Sequence, residues 1–174
     1  MKKIVSFSLI WVVLLTIACN QDDTADIKPP TPKQGENFKF FTSDEMYNDA
    51  LGRRSEDYSA PFEIVNVTAV KDSLPSGHDF LLVTVEYDES CEGEFEVIWD
   101  GRIMESYPVQ THLIMKYNAA CSDTTQKTTE VIAIDLDEFI GDALLVDEAV
   151  FHLLNASKIN TDNDVDYDAT TSSD

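Results

Sequence analysis

The sequence predicts a mainly β protein: a single antiparallel β-sandwich of immunoglobulin-like kind, carried behind a signal peptide and a flexible tether. Three observations lead there. Short segments rich in β-branched and aromatic residues recur from Pro61 onward between clusters of turn residues, no long amphipathic helical period appears, and two cysteines flank one pair of such segments. A small open barrel is the alternative closure for the same pattern.

The elements follow in order. Residues 38–41 (FKFF) have strand character, and Thr42 with Glu45 three positions on forms a capping-box pattern that would open a short helix over 44–51. Gly52 would end it. A strand over 62–70 is closed by the turn residues of 71–77. The segment 80–87 is nearly apolar on both faces, with Leu81, Val83, Val85 and Tyr87 on one and Phe80, Leu82 and Thr84 on the other, which places it centrally. In 94–100 Phe95, Val97 and Trp99 alternate with Glu94, Glu96 and Asp100, and Asp100-Gly101 starts a turn. The return strand over 108–118 points Val109, Leu113, Met115 and Tyr117 inward and Gln110, His112 and Lys116 outward. Two further strands, 128–136 and 144–154, are joined by the acidic stretch 137–142.

The ends of the chain have different compositions. Residues 1–18 read as a signal peptide: Lys2 and Lys3 precede an apolar run over 4–17 and the small Ala18. That run is shorter than the roughly 20 residues a spanning helix requires. Residues 19–37 hold Cys19 and a polar segment with Pro29, Pro30 and Pro32, a composition that favours extended backbone at about 3.1 Å per residue. A tether of that kind would hold a domain about 50 Å from a membrane. The domain is expected over 38–158, and the polar, acidic tail over 159–174 lacks the apolar residues to pack.

Charge excludes one class of partner. The chain carries 12 basic and 33 acidic residues, net −21; without Lys2 and Lys3 the remainder is 10 against 33, or −23. With no basic patch to displace counterions, binding to nucleic acid or to anionic headgroups is disfavoured. Attachment to a membrane is then expected through a lipid. Leu15-Thr16-Ile17-Ala18-Cys19 resembles a bacterial lipobox, which implies diacylglyceryl transfer to the Cys19 sulfur, cleavage before it and N-acylation with a fatty acid such as palmitate. Thr16 stands where that motif usually has leucine, and Leu15 lies one place earlier. Asn20-Gln21-Asp22-Asp23 resembles the acidic export signal of Bacteroidota surface lipoproteins, which implies the outer leaflet of the outer membrane, with a periplasm-facing anchor as the alternative.

Once Cys19 is lipidated, Cys91 and Cys121 are left as a pair in an exported, oxidising setting and are expected to form a disulfide. Neither belongs to a Cys-x-x-Cys or has a histidine at ligand spacing, so a redox or metal role has no motif behind it. The stretch 83–136 resembles a group of small Bacteroidota-type surface lipoproteins in the strand end 87–91, in Phe95 and Trp99 after the first cysteine, in the return at 108–110 and in Asn118 before Cys121. Histidines stand in those relatives where this chain has Glu94 and Tyr117, so any chemistry of theirs is absent here. The resemblance implies location and fold and no activity.

No nucleophile elbow, zinc-protease motif or phosphate-cradling loop occurs, and no enzyme activity or cofactor is expected. His78, His112 and His152 show no sign of a shared site. Calcium takes six to eight oxygens, and the acidic loop Asp135, Asp137, Glu138 and Asp142 is a candidate, as is the tail Asp162, Asp164, Asp166 and Asp168. The tail has Tyr167 where an EF-hand requires glycine. Trp99, Tyr107 and Tyr117 are candidate sugar-stacking rings, with Trp99 expected in the core and Tyr107, in the hairpin turn, the candidate ligand contact. The expected function is a lipid-anchored binding or scaffolding module; a glycan-binding accessory module and a small hydrolase or hydrolase inhibitor are the alternatives.

Overall fold

A computed structural model describes residues 30–54, 58–73, 75–104, 106, 108–122, 126–141, 149–157 and 169–170. The signal peptide, Cys19, Tyr107, Asp142 and the tail aspartates lie outside them. Among the described residues nine strands form two sheets: β1 (Lys33–Gln34), β2 (Phe38–Thr42), β5 (Glu92–Trp99), β6 (Val109–Ala120), β8 (Ala149–Asn155) and β9 (Ala169–Thr170) in the order β1-β2-β5-β6-β8-β9, and β3 (Phe62–Ser73), β4 (His78–Asp88) and β7 (Lys127–Asp135) in the order β3-β4-β7. Two helices, α1 (Asp44–Gly52) and α2 (Leu136–Phe139), complete the described fold.

The two sheets pack face to face, as the alternating pattern predicts. The inner faces contribute Phe62, Ile64, Leu81, Val83, Val85, Phe95, Val97, Trp99, Leu113, Met115, Ile132 and Ile134, all buried. Side chains of this size add about 1.5–3 kcal/mol each when removed from water. At one end of this core Phe95 stacks on Tyr117, with ring centroids 4.3 Å apart, and meets Phe62 and Tyr87 edge-on. β4 sits in the middle of its sheet, and its second face, with Phe80, Leu82 and Thr84, is half-buried.

The larger sheet departs from the all-antiparallel expectation at two pairings. β2 runs parallel to β5, Phe38 opposite Phe95, and β6 runs parallel to β8, Val109 opposite Ala149. Connectivity is the reason. Parallel neighbours require a long crossover, and both connections leave the sheet: α1, β3 and β4 lie between β2 and β5, and β7 and α2 lie between β6 and β8. The other pairings, β1–β2, β3–β4, β4–β7, β5–β6 and β8–β9, are antiparallel as expected of a sandwich.

This sheet is also buried on its outer side. Ile98 and Ile114, fully buried, pack with Phe41, Tyr47, Ala50 and Ala156 beneath α1. The helix thus forms where the capping pattern predicted, but Ser43 rather than Thr42 is its cap, accepting the Met46 N–H at 3.2 Å. Lys116 lies near Glu96 at 3.3 Å and, with Arg53, contacts the face of Tyr58, covering the polar rim of this layer.

Two boundaries move. Lys33 and Gln34, assigned to the tether, pair with Phe40 and Lys39, and Gly35 N–H closes the reversal onto Phe38 O at 2.8 Å. Ala169 and Thr170, assigned to the unpacked tail, pair with Phe151 and Val150. In both cases backbone hydrogen bonds on a sheet edge suffice, without an apolar side-chain pattern to announce them. Cys91 and Cys121 form the expected disulfide, one step beyond the last β5–β6 pair, Glu92 opposite Ala120.

Candidate functional site

Three side chains able to bind a cation meet at the corner where β4 begins and β7 ends. The antiparallel register sets Phe80 opposite Asp135, so His78, two residues earlier on the same face, reaches the start of α2. Gly77 makes the preceding turn with φ of 73°, a region glycine enters without Cβ strain. Ser76 Oγ accepts the His78 backbone N–H at 3.2 Å. The ring itself turns to the acidic side, with Nδ1 2.7 Å from Asp135 Oδ2. That hydrogen bond first, and the charge of Asp135 second, hold the imidazole above its ordinary pKa.

Both carboxylates are fixed by backbone donors. Asp135 caps α2, Oδ1 accepting the Glu138 N–H at 2.9 Å, and Asp137 Oδ2 accepts the Asp79 N–H at 2.7 Å. One ligand atom from each of His78, Asp135 and Asp137 lies within 4.8 Å of the others. Lys33 ties the other end of α2 to β1, donating to Glu138 O at 2.8 Å and Phe139 O at 3.3 Å. Of the acidic loop proposed for calcium, the structure therefore joins Asp135 and Asp137 and adds a nitrogen donor. Among the described residues this is one imidazole and two carboxylates, a donor set that suits zinc-like ions better than all-oxygen calcium.

The other two histidines also meet. Parallel pairing sets His112 opposite His152, and their rings stack with centroids 4.7 Å apart; His152 Nε2 lies 3.1 Å from Gln110 Oε1. The expectation that the histidines share no site is corrected for this pair. Sequence reasoning missed it because the contact depends on an unforeseen parallel register; the one local signal is that each histidine is the fourth residue of its strand.

The aromatic candidates separate. Trp99 is buried, its Nε1 donating to Thr111 Oγ1 at 2.8 Å and Arg102 O at 3.3 Å. Tyr117, 2% exposed, donates its hydroxyl to Cys91 O at 3.0 Å, so neither ring is open to a sugar face. Glu94 and Tyr117 lie on opposite faces of the hairpin, Tyr117 sharing its face with Phe95. Glu94 pairs outward with Lys39 and Gln34, and those contacts hold its carboxyl below the usual range; Tyr117 faces inward on Phe95. Side chains at these two positions cannot converge on one ligand in this fold.

No protein-family model, no curated protein and no solved structure matches this chain.

Proposed function

We propose that the protein is an exported lipoprotein, anchored through Cys19, whose β-sandwich acts as a binding or scaffolding module at the outer membrane, displayed on the cell surface. The observation that carries this reading is the cysteine count. Cys91 and Cys121 are joined within the fold, so of three cysteines the one at the lipobox-like junction is left for modification. A disulfide also suits an oxidising compartment.

Strand directions add to it. β1 is antiparallel to β2, so the chain preceding Lys33 leaves toward the end where β5 finishes and α2 lies. The disulfide and the loops beside it lie at the opposite end of the sandwich. A tether entering at the α2 end presents the disulfide end away from the membrane, and partner contacts are proposed there. The partner is a protein or glycan rather than nucleic acid, since a chain of −21 gains nothing from phosphate. Burial of Trp99 and Tyr117 leaves neither of these rings open for glycan stacking.

The test is metabolic labelling with palmitate in wild-type and Cys19→Ala cells, followed by protease treatment of intact cells. The reading expects label lost in the variant and the wild-type domain removed by protease. Label that persists without Cys19 sinks the anchor, and a protected domain places it on the periplasmic side.

A further inference from the structure

The geometry points to a binding site for one divalent transition-metal ion of the zinc type at His78, Asp135 and Asp137. This goes beyond the anchoring reading and does not depend on it. The three residues come from two sides of a corner: the imidazole from the turn into β4, the carboxylates from the end of β7 and the first turn of α2. A tetrahedral ion with bonds near 2.0–2.2 Å sets its ligands about 3.4 Å apart. His78 Nδ1 and Asp135 Oδ2, 2.7 Å apart, are already nearer than that, so an ion taking the position of the hydrogen between them pushes them slightly open. Asp137 offers a carboxylate oxygen within 4.8 Å of both, so the three donors already surround one position.

Preorganisation separates this corner from an ordinary acidic surface. Asp135 is held by its cap bond to Glu138 and Asp137 by the Asp79 N–H, so each carboxylate is oriented by the backbone before any ion arrives. Backbone donors of this kind play the part of the outer partners that orient ligands in known metal sites. The third, nitrogen, ligand sets the preference. Imidazole with carboxylate suits zinc, nickel or copper, while calcium and magnesium are hard ions that prefer oxygen to an imidazole nitrogen. The fourth position is left to water or to a donor from a bound partner.

The experiment uses the full-length protein in detergent, titrated with ZnCl2 by calorimetry, with CaCl2 and MgCl2 as comparison probes. Variants His78→Ala and Asp137→Asn remove a ligand without touching the α2 cap, and the double variant His112→Gln/His152→Gln removes the stacked pair instead. Thermal unfolding without metal confirms that each variant is folded. The inference expects one zinc per chain at this corner and no calcium or magnesium binding there. Zinc affinity should fall more than about 100-fold in His78→Ala and in Asp137→Asn, beyond the roughly 10- to 100-fold that losing an outer partner costs, and stay unchanged in the His112/His152 variant. Absence of saturable zinc binding overturns it. So does zinc binding that survives both single variants, or that vanishes only in the double variant, or a calcium affinity that matches zinc and ignores His78→Ala.

Discussion

Replacing Cys91 and Cys121 together by alanine releases a constraint that spans 30 residues of chain. In the chain-entropy account a link over that separation removes freedom from the unfolded state equivalent to about 3.6 kcal/mol at 25 °C. Cys91 is also 7% exposed and packs with the inner core, so loss of its sulfur adds a packing term, whereas Cys121 is exposed and adds little. The expected total is about 4 kcal/mol, against an ordinary stability of about 5–15 kcal/mol. Urea unfolding of the full chain is the assay. With a slope near 2 kcal/mol per molar, the midpoint should fall by about 2 M. Reduced wild-type protein should unfold close to the double variant, since both lack the same link. The reasoning is refuted if the double variant loses less than about 1 kcal/mol, because the link would then constrain nothing that the unfolded chain explores.

Two other perturbations test the fold at separate places. Tyr47, under α1, has its hydroxyl pushed up to about 12, mainly by burial and then by the Asp100 carboxylate. A raised folded pKa keeps its contribution intact below pH 10 and loses it as pH rises through 10 to 12, amounting to about 2–3 kcal/mol once the group ionises. Tyr47→Phe should remove that alkaline loss in urea titrations between pH 9 and pH 12; an unchanged pH profile would contradict the burial argument. At Gly93 an added Cβ would stand 2.3 Å from Asn118 O and 2.4 Å from Ala119 Cβ, so Gly93→Ala should cost about 1–3 kcal/mol by forcing β5 and β6 apart. Equal unfolding midpoints for variant and wild type would show that the strands part there without cost.

What could be read from the sequence follows from the range over which each signal acts. Period-two alternation is local, and it located β3 through β8 and the inward set Phe95, Val97, Trp99, Leu113, Met115 and Tyr117. The disulfide was legible because the expectation that Cys19 is lipidated leaves a single pairing, Cys91 with Cys121. The parallel neighbours were not, since nothing in 92–99 announces that 38–42 will lie beside it. For the same reason Ile98 and Ile114 were not recognised as a second buried layer: a strand covered by a helix on its far side shows an apolar residue among charged ones, with no alternation to mark it. β1 and β9 are two residues long and have no period at all. The corner site was half legible. Asp135 and Asp137 stand out as acids in one loop, but His78 joins them across 57 residues through the β4–β7 register, a long-range fact that composition does not hold.

The measurement that bears most directly on the proposed role is mass spectrometry of the N-terminal peptide from protein purified out of its native membranes without reduction. The account predicts a chain that begins at Cys19, bearing a diacylglyceryl group on sulfur and an acyl group on the new amine, with no peptide from residues 1–18. An unmodified Cys19 inside a peptide that continues back through Ala18, or a mature terminus at another residue, would contradict it.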